Sequence, residues 1–282
     1  MQKCFEQIAG EQVRMLKISG KCVRMDSNLI SSNIARQSRY ELIHTTLVKF
    51  LKSVTLSYLS HEQQEEAKAY VEEDSSKTVY RSDADTLQSN LARIGNFIMG
   101  VLAAYSVSSP ARDLLDRLFN EQYIIEDGKA VLRDKKEIKA DSLQNPNDPD
   151  ASFRDKNGQK VQGYVTNITE TVEEGKPSII TSVQVETAVF ADCHFLQEAV
   201  ENSERVTKST VEDLYADGAY QSPENREFAK SHDGMQLKTG KIQGGCRWEL
   251  IPHGEDGLTV RETATGNTYE AFKAVTKQGT KS

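Results

Sequence analysis

Alternation of hydrophobic and polar residues predicts three strands in two parts of the chain. The first strand covers residues 21–27 and carries Asp26 at its carboxyl end. The other two cover residues 161–169 and 178–185, which are rich in β-branched side chains. Glu174 and Gly175 between them favour a hairpin turn. The pattern therefore predicts a sheet built from distant parts of the sequence.

A fourth strand is predicted where residues 211–216 lead into Asp217. Gly218 follows at once and allows a sharp turn behind the carboxylate. Ser222 is then a candidate N-cap, with Pro223 at the first position of a helix. Asp217 is thus expected to project from the end of a strand. Residues 235–238 and 247–251 resemble further strands.

Between residues 40 and 124 the hydrophobic period changes to that of amphipathic helices. Asp83 or Asp85 is a candidate N-cap for the longest of them, and Ser109 with Pro110 for the next. The residues expected to face the core are Leu47, Phe50, Leu51, Val54, Tyr58, Leu87, Leu91, Ile94, Ile98, Val101, Leu102, Tyr105, Leu114, Leu115, Leu118 and Phe119. A polar helix is expected at residues 61–73, and another helix at 5–17 through Phe5, Ile8, Val13 and Leu16. The helical region interrupts an α/β domain, because strands are predicted on both sides of it.

Residues 140–160 are polar and rich in turn-forming residues, which marks a boundary and predicts a solvated loop. The chain is accordingly divided into an N-terminal helix and first-aspartate strand, a helical insertion, the remainder of the core with the second aspartate, and incomplete C-terminal strands with a tail. These segments are 1–34, 35–145, 146–234 and 235–282.

Composition excludes several classes of protein. The net charge of −7 argues against a protein that simply coats nucleic acid. Residues 1–60 nevertheless carry nine basic against four acidic side chains, and residues 228–282 carry eight against six. This distribution suits either a DNA ligand that meets the ends or ordinary scatter of charge. Without a membrane span or signal peptide, and with four scattered cysteines that match no zinc site, a cytoplasmic location is expected.

Three motifs together resemble the DDE transposases encoded by bacterial insertion sequences. Residues 23–34 (VRMDSNLISSNI) are similar to the segment around the first aspartate of that family. Residues 148–151 (DPDA), followed by Lys160, Gly163 and Tyr164, are similar to the segment that opens its next strand. Residues 217–225 (DGAYQSPEN) are similar to its second-aspartate segment.

This resemblance implies an RNase H-like mixed sheet with an all-helical insertion after the first strand. It also implies that Asp26 and Asp217 are catalytic residues that hold two Mg²⁺ ions about 3.5–4 Å apart and use them to cleave DNA and transfer its strands. The implied partners are the transposon ends and the target DNA, with a homo-oligomer as the complete enzyme and no membrane. Arg36 and Arg39, shortly after the first aspartate, are candidates for contacts with DNA phosphates.

The chain departs from the family at the third carboxylate, which the resemblance places on a helix after the last core strands. The acids left for that role are Glu249, Glu262 and Glu270, and none lies in a helical pattern. Only about 20 residues precede the first predicted strand. The expectation is therefore a transposase fragment, truncated at both ends.

Two other functions remain open: a non-catalytic DNA-binding or subunit-pairing remnant of a transposase, and an independent RNase H-like nuclease. Three residues near the expected site also have two interpretations. Asp192 and His194 start a helix and are either capping residues or metal ligands. Tyr220 either packs against the strands of the site or contacts DNA.

Overall fold

The computed structural model describes residues 2–156, 158–239, 248–253, 257–262 and 268–272. These residues form a mixed α/β structure with a mixed sheet, as the sequence predicts. The helices are α1 (Gln2–Met15), α2 (Arg39–Leu51), α3 (His61–Glu72), α4 (Ser75–Arg81), α5 (Ala84–Ala104), α6 (Pro110–Gln122), α7 (Leu196–Thr207) and α8 (Pro223–Ser231). The strands are β1 (Cys22–Ser31), β2 (Tyr123–Glu126), β3 (Lys129–Leu132), β4 (Ser152–Lys156), β5 (Gln159–Thr171), β6 (Ile180–Thr187), β7 (Asp213–Ala216), β8 (Gln236–Thr239), β9 (Trp248–His253), β10 (Gly257–Glu262) and β11 (Thr268–Phe272).

The chain divides into two compact units. The first comprises Met1–Asn28, Thr166–Val185 and Ala191–Ser282, and the second comprises Leu29–Val165 and Glu186–Phe190. Among the described residues, no helix is both long enough and apolar enough to cross a membrane.

The main sheet has six strands: its order is β4–β5–β1–β7–β8, and β6 also pairs with β5. Strand β7 runs parallel to β1, and β8 runs parallel to β7. Strand β5 runs in the opposite direction beside β1, where Val172 donates its backbone N–H to the Cys22 carbonyl at 2.9 Å. Strand β6 returns after a turn in which Gly175 has a φ of +74°. One strand of the sheet is thus reversed relative to its neighbour β1.

In the first unit, helices α1 and α7 pack together through Ala9, Val13 and Val206. The buried stripe of α1 differs from the predicted one, because Ile8 is 60% exposed. Gly10, which weakens the sequence pattern for a helix, lies where α7 approaches: a Cβ there would be 3.2 Å from the Val206 carbonyl oxygen. The glycine therefore serves close packing of two helices rather than ending one.

The second unit contains the predicted helical segment, with helices α2 to α6 around one apolar core. Asp83 caps α5, and Ser109 caps α6 with Pro110 behind it, as predicted. Most of the predicted stripe is buried, but Tyr58 is 72% exposed. The antiparallel hairpin of β2 and β3 after α6 was not predicted from the sequence.

The polar segment 140–160 is not the solvated loop that its composition predicts. Ser142, Leu143 and Asn145 are all less than 5% exposed. Residues 152–156 form β4, which pairs with β5 in antiparallel register. The loop folds back on the strands because its polar side chains find partners there: the Asp148 carboxylate accepts hydrogen bonds from Ser32 and Tyr164.

Strands β9, β10 and β11 form a separate antiparallel sheet, in the order β11–β10–β9. Glu249 lies in β9, Glu262 ends β10 and Glu270 lies in β11. All three glutamates considered for the third carboxylate are therefore on strands.

Candidate metal centre

Asp26 lies in the middle of β1, not at the end of the strand as the sequence pattern predicts. The strand continues to Ser31, because its hydrogen bonds to β5 persist beyond its pairing with β7 and Ser32 still donates to the Gln162 carbonyl at 2.9 Å. Val23 and Met25 are buried on one face of β1. Asp26 belongs to the opposite face and is exposed, since side chains alternate along a strand.

Asp217 immediately follows β7, as predicted, and its position matches that of Asp26. The parallel register pairs Val23 with Leu214 and Arg24 with Tyr215. The pairing ends there, and the same register carried two residues further aligns Asp26 with Asp217, the residue that follows β7. Register partners on neighbouring parallel strands point to the same face, and the strands are about 4.8 Å apart. Two aspartates that are 191 positions apart in the sequence therefore lie near each other, and both act electrostatically on Tyr220.

Local backbone contacts hold both carboxylates. Asp217 is the N-cap of the short 3₁₀ helix Gly218–Tyr220, and its Oδ1 accepts the Ala219 N–H at 2.8 Å. Asp26 Oδ1 accepts the Ser27 N–H at 2.9 Å. Each of these bonds occupies one oxygen, so each carboxylate keeps oxygen lone pairs for another ligand.

Neither aspartate forms an ion pair with a described residue, although other acids on the sheet do. Glu170 accepts from Arg24 Nε at 2.5 Å, and Asp213 from Lys238 Nζ at 2.8 Å. Like charges directly opposite each other on neighbouring strands destabilise a sheet. Asp26 and Asp217 are thus a pair of carboxylates for which a divalent cation would supply the missing positive charge.

Tyr220 lies behind this pair and is completely buried. Burial raises the pKa of its phenol well above the ordinary value, and the charges of Asp192, Asp26 and Asp217 raise it further. The side chain of Ser27 lowers this pKa and so acts in the opposite direction. The phenol is therefore protonated at neutral pH, and the charges of both aspartates act on it. Its burial agrees with packing against the strands.

The sequence pattern does not predict the buried polar network that surrounds Tyr220. The Tyr220 hydroxyl donates to Asn167 Oδ1 at 2.7 Å, and Asn167 Nδ2 donates to Gln184 Oε1 at 2.9 Å. Asn225 Nδ2 donates to the carbonyls of Tyr220 at 2.9 Å and Cys193 at 2.7 Å. The one sequence feature that points to this network is the polar residue Asn167 within a strand of β-branched residues, because a buried amide must find hydrogen-bond partners.

Asp192 and His194 belong to a second short 3₁₀ helix, Asp192–Phe195, that precedes α7. Asp192 is 4% exposed and lies close enough to act electrostatically on Tyr220. The N-cap positions before the 3₁₀ helix and before α7 are Ala191 and Phe195, and neither supplies a side-chain cap. Asp192 is thus a buried carboxylate beside the site, although the described residues contain no group of three His, Cys, Asp or Glu side chains arranged to hold a metal ion.

Arg36 and Arg39, the candidates for DNA contacts, lie in the second unit. Arg36 is exposed, and one of its nitrogens donates to the Lys160 carbonyl at 2.8 Å. Arg39 donates to Gln122 Oε1 at 2.8 Å and to the carbonyls of Gln122 and Arg133 at 3.0 and 2.9 Å. Desolvation by burial lowers the pKa of the Arg39 guanidinium. Arg39 therefore joins the end of α6 to the end of β3, whereas Arg36 keeps donors available to solvent.

Comparisons with protein-family models, with curated proteins and with solved structures find no match to this chain.

Proposed function

We propose that this chain carries the catalytic site of a DDE transposase of the insertion-sequence type, on an RNase H-like sheet. The observation that carries the proposal is the parallel register of β1 with β7, which aligns Asp26 with Asp217 when it is continued two residues past its last pair. The sheet supports it, because a reversed strand β5 separates β6 from β1 and two parallel strands follow on the other side. The helices between β1 and β5 correspond in this proposal to the insertion that the resemblance implies.

The donor set suits Mg²⁺, which prefers hard oxygen ligands and commonly binds through one or two carboxylates while keeping several waters. Asp26 and Asp217 would hold the metal, since both are accessible and neither has a cationic partner among the described residues. When bound, the metal would activate a water or 3′-hydroxyl nucleophile and stabilise the leaving oxygen of a DNA phosphodiester.

The contribution of the protein is to fix the carboxylates before the metal arrives. Strand pairing sets the spacing between β1 and β7, and the Asp217 cap on Ala219 orients one of the two side chains. Substrate DNA and a homo-oligomeric partner belong to the same proposal.

A second candidate is a non-catalytic DNA-binding or subunit-pairing protein that keeps the fold of a transposase. It is favoured by one observation: in the described residues after β8, Glu249, Glu262 and Glu270 all lie on antiparallel strands. The third carboxylate that the family requires on a helix is thus not among them.

Nicking of supercoiled plasmid DNA separates the two candidates. The wild-type chain, D26N, D217N and the control D127N are incubated with Mg²⁺ or Mn²⁺ and with EDTA. Asp127 is an exposed acid in the β2–β3 turn with a φ of +49°, a conformation that Asn tolerates, so D127N changes the same charge elsewhere. The catalytic proposal expects nicking by wild type and D127N that EDTA, D26N and D217N abolish. DNA binding without nicking by the wild type would instead support the non-catalytic candidate.

A further inference from the structure

The side chain of Tyr220 connects the segments that carry the two aspartates. Its ring belongs to the 3₁₀ turn that Asp217 caps. Its hydroxyl donates to Asn167 in β5, and Ser27, the residue next to Asp26 in β1, lies close enough to influence the ionisation of the phenol. One buried phenol thus joins the turn of the second aspartate to the reversed strand β5, which lies beside the first-aspartate strand β1.

The acceptor on β5 is itself held in place. Asn167 is fully buried and donates to Gln184 Oε1, and Gln184 Nε2 donates to the Phe195 carbonyl at 3.3 Å and to Glu198 Oε2 at 3.1 Å. The network therefore runs from the Tyr220 hydroxyl to the beginning of α7. Because each donor has an acceptor, the hydroxyl has one favoured position rather than several.

We propose that Tyr220 is a positioning residue for the Asp26–Asp217 pair, an inference that rests on the proposed metal centre. Through its bond to Asn167 it holds the Asp217 turn against β5, the strand that pairs with β1, and through its own turn it fixes the Asp217 cap. Because this bond anchors the turn to β5, the two carboxylates keep the separation that a divalent cation needs. Two negative charges that repel each other would otherwise move apart in the metal-free protein.

A purely structural role for Tyr220 makes a different prediction. If the hydroxyl serves only to satisfy buried Asn167, its removal lowers stability and leaves metal binding unchanged. If it positions the carboxylates, its removal weakens metal binding even where the protein is folded. Outer partners of metal ligands typically change metal affinity about 10–100-fold when they are removed.

The test measures Mn²⁺ affinity by titration calorimetry and the Mn²⁺ electron paramagnetic resonance spectrum of Y220F. The matched control is Y123F, because Tyr123 is 1% exposed and its hydroxyl donates to the Leu91 carbonyl at 2.9 Å in the other unit. Both variants lose one buried hydroxyl and its hydrogen bond. We expect Mn²⁺ to bind Y220F about 10–100-fold more weakly, with an altered spectrum, and to bind Y123F as it binds the wild type.

Two further variants keep the test decisive if Y220F folds poorly. S27A removes the β1 hydroxyl that influences the Tyr220 phenol, and N167A with Y220F forms a double-mutant cycle. A double variant that binds Mn²⁺ no more weakly than N167A alone would show that both residues act through one bond. Wild-type affinity in both Y220F and S27A would overturn the positioning role while leaving the metal centre intact. Equal Mn²⁺ affinity in wild type and D26N would overturn the metal centre, and the inference with it.

Discussion

The hydroxyl of Tyr164 donates its hydrogen bond to the carboxylate of Asp148. This bond is the largest cause of a rise in the pKa of Tyr164 to about 12, from an ordinary value of about 10. A phenol with a raised pKa in the folded state stabilises the protein below pH 10. That contribution is lost as the pH rises from about 10 to about 12, because the unfolded chain releases its proton first.

The Asp148 bond therefore predicts a specific change in alkaline titration. The pKa of Tyr164 is read from phenolate absorbance, as the difference between proteins with and without the Y164F substitution. In D148N this pKa should fall from about 12 toward 10. The difference spectrum is needed because burial also raises the pKa of Tyr70 to about 12. An unchanged titration of Tyr164 in D148N would show that the bond does not control its ionisation.

Gly163 in β5 is predicted to tolerate no side chain. A Cβ at this position would overlap the Ile30 carbonyl oxygen and the Ser32 nitrogen, which are backbone atoms that cannot rotate away. Overpacking of this kind typically costs about 1–3 kcal/mol, and we expect G163A to lower the free energy of unfolding by at least that amount. Chemical denaturation measures the change. The control is G128N, because Gly128 has open space around it and a φ of +73° that Asn accepts.

Local signals in the sequence were sufficient for the ends of several elements. Ser109 and Ser222 are N-caps followed by proline, as predicted, because an N-cap hydroxyl and a proline at the first helical position act within a few residues. Asp217 at the end of β7 also follows from its immediate neighbours, a short apolar strand and Gly218. These features depend on short-range geometry alone.

Features set by distant parts of the chain were not predictable in the same way. The length of β1 depends on its pairing with β5, which the alternation of residues does not reveal. The sequence pattern therefore predicts Asp26 at the end of a strand, whereas it lies in mid-strand. The packing of residues 142–145 depends on partners such as Glu121, whose carboxylate accepts the Leu143 N–H at 2.8 Å. The bond from Tyr220 to Asn167 joins residues in different strands and turns, and a single sequence carries no register information for it.

Arg36 and Arg39 should differ in their effects when each is replaced by alanine. R39A removes donors to Gln122 and Arg133, so it should lower the free energy of unfolding, by about 1.5–3 kcal/mol if its charged hydrogen bonds are typical. R36A should change stability little, since Arg36 is exposed and has one bond to a carbonyl.

Salt-dependent DNA binding provides the complementary measurement for these two arginines. If Arg36 contacts one phosphate, R36A should reduce the slope of log affinity against log salt by about 1. A slope equal to that of the wild type would remove Arg36 from the DNA-contact surface. For R39A, DNA binding should be compared under conditions in which the variant remains folded.

If Asp26 and Asp217 form one metal centre, Mg²⁺ should stabilise the protein through these two residues, and thermal unfolding with and without Mg²⁺ measures this stabilisation. In EDTA, D26N and D217N should be as stable as the wild type or more stable by about 0.2–1 kcal/mol. Each substitution removes one of two neighbouring negative charges that repel each other. Mg²⁺ should stabilise the wild type, by about 2.7 kcal/mol at 100 times its dissociation constant, and should leave both variants unchanged. Stabilisation of D26N and D217N equal to that of the wild type, or no stabilisation of the wild type by Mg²⁺, would show that the two aspartates do not form a metal centre.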